Sequence, residues 1–164
     1  MLMLALDPGL HECGMAWFRE GVLVRAALAR NDVAGRGPRA WRGMAKACFS
    51  AWRPRGLLDE MAVELPQVYH SGRGKGDPAD LLELAGVLGA TCDRINAGDY
   101  VPYHPARWKG QVPKDIHHER IVDLWLDERE VAAVRLALEG QPEGLWHNVL
   151  DAVGLGLHHL KRDR

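Results

Sequence analysis

Three carboxylates stand where apolar sequence would ordinarily exclude them. Asp7 ends the run over residues 2–6 and is followed at once by Pro8-Gly9. Glu64 follows Met61-Ala62-Val63 and precedes Leu65-Pro66, and Asp151 sits amid Val149, Leu150, Ala152, Val153, Leu155 and Leu157. A carboxylate in such surroundings costs several kcal/mol unless it is paired or meets a cation. Singly, each has an ordinary explanation. Asp-Pro-Gly is a common turn and Glu64 a salt-bridged strand end. Asp151, with His147 and Asn148 four and three residues earlier on the same helical face, makes a core hydrogen-bond network. Jointly they supply the hard oxygen donors that Mg²⁺ and Mn²⁺ prefer, with His147 and Asn148 placed to complete the site. Two such ions about 3.5–4 Å apart activate a water and stabilise the leaving oxygen of a phosphodiester.

The elements that must position these side chains are legible from turn residues and hydrophobic period. Residues 2–6 read as a buried strand stopped by Asp-Pro-Gly. Residues 14–18 and 22–29 read as two further strands, joined tightly at Glu20-Gly21. After a polar, Gly-rich loop over 30–37, a helix begins at Pro38. It carries Trp41, Met44, Ala45, Cys48, Phe49 and Trp52 on one apolar stripe and ends at Pro54 and Gly56. Residues 61–65 form a fourth strand, and 66–76 a glycine-rich loop. Asp77 caps a second helix opened by Pro78. Its apolar face is Leu81, Leu84, Ala85, Leu88, Cys92 and Ile95, and residues 96–98 close it. Residues 100–103 form a fifth strand, and helices follow over 114–126, 128–139 and about 144–160. This order predicts an α/β fold, a five-stranded mixed sheet flanked by helices. The absence of repeats and linkers predicts one domain over residues 1–164.

Composition narrows the function classes. The chain has 164 residues, 47% apolar and 26% charged, as in ordinary globular proteins. No apolar run approaches a membrane span, and the first residues lack the basic flank of a secretory signal. The three cysteines, Cys13, Cys48 and Cys92, form no CxxC pair, so neither a disulfide framework nor a zinc site is expected, and the setting is a reducing, cytoplasmic one. Net charge is −1, yet between Arg19 and Arg55 nine Arg or Lys residues face only Glu20 and Asp32. Arg107, Lys109 and Lys114 add a second basic set, while acids dominate between Asp77 and Asp99. Such asymmetry places a basic face opposite an acidic one.

The segment Leu4-Ala-Leu-Asp-Pro-Gly-Leu-His-Glu-Cys-Gly-Met-Ala-Trp17 resembles the opening of the RuvC-type Holliday junction resolvases. Ala62-Val-Glu-Leu-Pro-Gln-Val-Tyr69 resembles their fourth-strand acid, and Asp151-Ala-Val-Gly-Leu-Gly-Leu-His-His159 their terminal helix. The pieces keep the family's order and span nearly the whole chain. The resemblance implies an RNase H-like fold, a homodimer, two Mg²⁺ or Mn²⁺ ions per site, and paired symmetric nicks across a four-way DNA junction. Asp7, Glu64 and Asp151 match the family's acids. Its fourth ligand, an Asp or His, stands three residues before the last Asp, where this chain has Asn148. His147, one residue earlier, is favoured because imidazole binds metals better than a carboxamide, with Asn148 the rival in register. The resemblance also assigns Lys109 and Lys114 to the scissile phosphate and Tyr69 to stacking at the junction centre, with Arg73 and Lys75 clamping phosphates nearby. Abbreviated resolvases of this kind occur in bacteriophages, which extends the expected setting to an infected host's cytoplasm.

Other features are read as structural. His117-His118 are adjacent on a helix and cannot both face one ion, and His158-His159 suit a helix C-terminus. Trp17, Trp108, Trp125 and Trp146 are given no place. A dimer face is expected on the second helix, whose Gly86, Gly89 and Ala90 permit close approach. Three rivals stand beside the resolvase reading. One is an RNase H-fold nuclease acting on RNA–DNA hybrid or other branched DNA, and another is a junction-binding protein without catalysis. The third, an actin-like ATPase, is suggested by Asp7, Gly9 and Gly14. It needs a second domain for which 164 residues leave no room, so no nucleotide cofactor is expected.

Overall fold

A computed structural model describes residues 1–52, 57–66, 77–110 and 112–163. β1 (Leu2–Asp7), β2 (Glu12–Arg19) and β3 (Val22–Arg30) form an antiparallel meander. Glu20 and Gly21, both with positive φ, turn the chain between β2 and β3. β4 (Glu60–Glu64) lies parallel to β1, and β5 (Asp99–Tyr103) parallel to β4. The sheet order is β3-β2-β1-β4-β5.

Strand alternation sorts the side chains into two cores. Leu4, Leu6, Met15 and Trp17 face α1 (Pro38–Trp52) and α2 (Pro78–Ile95). Met3, Ala5, Ala16, Phe18 and Ala62 face α5 (Glu128–Leu138) and α6 (Trp146–His159). By the same alternation Asp7, Gly14 and Glu64 fall on the α6 face. α2 is capped as its sequence predicts: Asp77 accepts from the Ala79 N–H, and Asn96 ends the helix in the left-handed conformation.

The structure departs from the sequence reading in four places. A short helix absent from that reading, α3 (Pro105–Trp108), follows β5 directly. The helix expected over 114–126 is α-helical only as α4 (Lys114–Arg120), then widens into a π-helical turn, Ile121–Trp125. α6 starts at Trp146, after a 3₁₀ turn over Glu143–Leu145, rather than at 144. The buried face of α2 is rotated from the expected stripe. Ala85 is exposed, whereas Val87 and Thr91 are buried, because Gly86 packs on the Trp41 indole of α1. A β-carbon at Gly86 would lie 2.5 Å from that ring, so this glycine serves packing within the chain and not the expected dimer face.

Glu130 was not singled out by sequence. It is fully buried and accepts from the Leu23 and Asp127 N–H groups, and the Arg162 guanidinium clasps it at 2.6 and 2.7 Å. This anchors the chain beyond α6 to β3 and α5. Among the described residues no helix is long and apolar enough to cross a membrane.

Candidate active site

β1 and β4 are parallel neighbours with Leu6 opposite Val63, so Asp7 and Glu64 come next on each strand, level at the sheet's carboxyl end. Crevices at that end are where open α/β sheets bind ligands. α6 crosses the same face and delivers Asp151. The approach of α6 depends on Gly14, which lies across the strand pair from Asp7. A β-carbon at Gly14 would fall 1.7 Å from the Asn148 carbonyl oxygen, so only glycine lets the first turn of α6 press against β2. Gly156 does the same further along, where a β-carbon would meet the Phe18 ring at 2.1 Å.

Cations gather the carboxylates. Lys109 Nζ lies 3.0 Å from Glu64 Oε2 and 3.2 Å from Asp151 Oδ2. Lys114 Nζ is 3.0 Å from the same Asp151 oxygen, and His118 Nε2 is 2.9 Å from the other. The Trp108 indole N–H donates to Glu64 at 2.8 Å, and the Lys109 ammonium sits 4.6 Å from that ring's centre. α3 makes this possible: it turns the chain immediately after β5, burying Trp108 and presenting Lys109 to the acids.

Asp7 is the unsatisfied member. It is buried, and its side chain makes no hydrogen bond or ion pair among the described residues. Burial, and then the charges of Glu64 and Asp151, hold its carboxyl well above the usual range, with Lys109 only partly offsetting them. Asp151 behaves oppositely. Burial would raise it, but the His118 hydrogen bond and the charges of Lys109 and Lys114 carry it well below the usual range. For Lys109, burial is outweighed by Asp151, Asp7 and Glu64, and the ammonium is held above its ordinary value. Among the described residues no three His, Cys, Asp or Glu groups close on a point as a ready metal cage. The donor set nevertheless suits a hard divalent cation. Two carboxylates, Glu64 and Asp151, contact the Lys109 ammonium, and the charge of the buried Asp7, which has no hydrogen-bond or ion-pair partner among the described residues, acts on the same group.

Of the residues singled out by sequence, the structure thus brings together Asp7, Glu64, Asp151, Lys109 and Lys114. His147 and Asn148, both half-buried at the start of α6, make no hydrogen bond to the three carboxylates among the described residues. Burial and the Lys114 charge lower the His147 pKa. Tyr69, Arg73 and Lys75 lie outside the described residues. Two site residues were missed. Sequence reads His118 as structural together with its neighbour, yet adjacent helical positions point about 100° apart. His117 turns inward between Trp108 and Trp125, while His118 meets Asp151. Trp108 had a usable signal, since a buried indole N–H seeks an acceptor and this one directly precedes Lys109.

The architecture is an RNase H-like fold, the fold also found in solved Holliday junction resolvases. It is shared with solved structures, among them the following two. The yeast mitochondrial Holliday junction resolvase Ydc2 superposes with a TM-score of 0.67 at 12% identity, over 98% of this chain and 78% of that one. Thermus thermophilus RuvC, solved in complex with a Holliday junction substrate, gives 0.55 at 15% identity, over 97% and 92%. At such identities the likeness is one of fold. No family model matches the chain, and no curated protein matches it in sequence.

Proposed function

We propose that this protein is a structure-specific endonuclease that resolves four-way DNA junctions by metal-dependent phosphodiester hydrolysis. The observation that carries this reading is that Asp7, Glu64 and Asp151, distant in sequence, meet at the carboxyl end of the sheet, where Lys109 contacts Glu64 and Asp151 and all three charges act on its ammonium. The fold shared with two junction resolvases supports it.

In this reading Asp7, Glu64 and Asp151 would hold two Mg²⁺ or Mn²⁺ ions, with His147 or Asn148 as the fourth donor. When bound, such ions activate water and neutralise charge on the leaving oxygen. The chain's own residues do the rest. Trp108 fixes the Glu64 carboxylate, and His118 fixes Asp151 through its Oδ1. Lys109 and Lys114 neutralise the charge that builds on the scissile phosphate. Tyr69, Arg73 and Lys75 are proposed to engage the junction centre. Symmetric nicks call for two sites related by a two-fold axis. We therefore propose a homodimer built on the outer face of α2, where Leu82, Ala85 and Gly89 are exposed. Location in the cytoplasm belongs to the same proposal.

A mobile four-way junction incubated with Mg²⁺ or Mn²⁺ tests this. Paired symmetric nicks are expected, with linear duplex and RNA–DNA hybrid left intact; cutting of hybrid instead would replace the junction reading by another nuclease activity. One observation favours a junction-binding protein without catalysis. Lys109, Lys114 and His118 already engage Asp151, and Lys109 also engages Glu64, so these two acids have protein partners without a metal ion. Tight junction binding with no nick under either metal would establish that alternative.

A further inference from the structure

The outer face of α1 is basic and unpaired. Its sequence contains no acidic residue, and its charges, Arg39, Arg42 and Lys46, recur at i, i+3 and i+7, one solvent-facing stripe. All three are exposed, and none makes an ion pair or hydrogen bond among the described residues. Arg36, by contrast, is tied to Asp80 of α2. Arg30, at the end of β3, is likewise exposed and unpaired, and it lines a recess with Lys46, Ser50 and the single acid Asp32. The opposite side of α1, Met44, Ala45 and Cys48, is buried against the sheet and α2.

From these observations we infer that the α1 stripe, with Arg30, is a second DNA contact, holding the sugar-phosphate backbone of a duplex arm away from the cutting site. This rests on the resolvase reading for the identity of the polyanion. The stripe lies on the face of the sheet opposite the carboxylates, so it does not share their ligand. Seven residues of helix rise about 10 Å. Over that length B-DNA carries about six phosphate charges, at one per roughly 1.7 Å of axis. A membrane surface fits less well, because a helix that lies on lipid inserts its apolar face. Here that face is already buried in the protein.

The test is binding, not cutting. Anisotropy of a labelled linear duplex and a labelled junction is followed in EDTA across a salt series, for wild type, R39Q/R42Q/K46Q, the charge-keeping R39K/R42K/K46R, and R129Q/R135Q on α5. Each lost phosphate contact lowers the salt slope by about 0.9, so the first variant loses about 2.7 units of slope. Between about 50 and about 200 mM salt, its affinity therefore falls about 40-fold less than that of wild type. The charge-keeping variant and the α5 variant retain the full slope. An unchanged slope in R39Q/R42Q/K46Q overturns the inference. So does an equal drop in R129Q/R135Q, which would mean bulk charge alone. Competition between duplex and vesicles of phosphatidylserine and phosphatidylcholine would overturn it by marking a membrane surface. A wild type that nicks junctions without using the stripe refutes only the inference. A wild type that binds duplex through the stripe yet never nicks refutes only the resolvase reading.

Discussion

Replacing Lys109 with Met keeps the length and apolar stem of the side chain and removes its charge. At an effective dielectric near 20, a unit charge pair at 3.0 Å has a gross attraction of about 5–6 kcal/mol. Lys109 makes two such contacts, and desolvation offsets most of that sum, since its side chain is only 26% exposed and that of Asp151 3%. Removing one partner of a buried pair costs about 3–5 kcal/mol. Asp151 would keep Lys114 and His118, and Glu64 would keep Trp108, which lowers the expected loss to about 2–3 kcal/mol. For a chain of this length each kcal/mol moves Tm by about 2–4 °C, so K109M should melt roughly 4–12 °C below wild type in EDTA. A divalent cation should then stabilise the variant more than wild type, because three carboxylates are left around an uncompensated position. Thermal melts with EDTA and with Mg²⁺ measure both effects. A variant as stable as wild type in EDTA, or a deficit that Mg²⁺ leaves untouched, would refute the picture of one cation position shared by Asp7, Glu64 and Asp151.

Further outcomes follow from the same geometry. Asp7→Asn and Asp151→Asn should change stability with opposite sign at neutral pH. The Asp7 pKa is raised in the fold, so its charge costs stability increasingly as pH rises above about 4, and D7N should melt higher than wild type there while losing nicking. The Asp151 pKa is lowered, so its contribution is complete above about pH 4 and fades as pH falls; the D151N deficit in pH-dependent melts should shrink on acidification. His118→Ala removes one charge-assisted hydrogen bond and should cost about 1.5–3 kcal/mol in urea unfolding, and nicking should fall with it. Gly14→Ala forces α6 off β2 and should destabilise by more than about 3 kcal/mol, whereas the same change at Gly89, an exposed position inside α2 where a β-carbon meets nothing within 4 Å, should stabilise by about 0.5–1 kcal/mol.

The sequence by itself determined the parts whose cause is local. Asp-Pro-Gly must stop β1, Asp77-Pro78 must start α2, and strand alternation puts Asp7 and Glu64 on one face once the strands are parallel neighbours. The five strands and the acidic residues at their ends were legible for this reason. Tertiary structure decided what depends on contacts between distant segments. That α6 approaches closely enough to bring Asp151 beside Lys109 follows from Gly14 and Gly156 meeting Asn148 and Phe18, contacts no local pattern encodes. Which histidine of the 117–118 pair serves the site depends on the helical phase of α4 against α6, and Trp108 entered only because α3 forms after β5. The buried Glu130–Arg162 clasp spans 32 residues and likewise left no trace in either segment. Local chemistry fixes where a chain turns and which way a side chain points. The charges that meet there are set by packing.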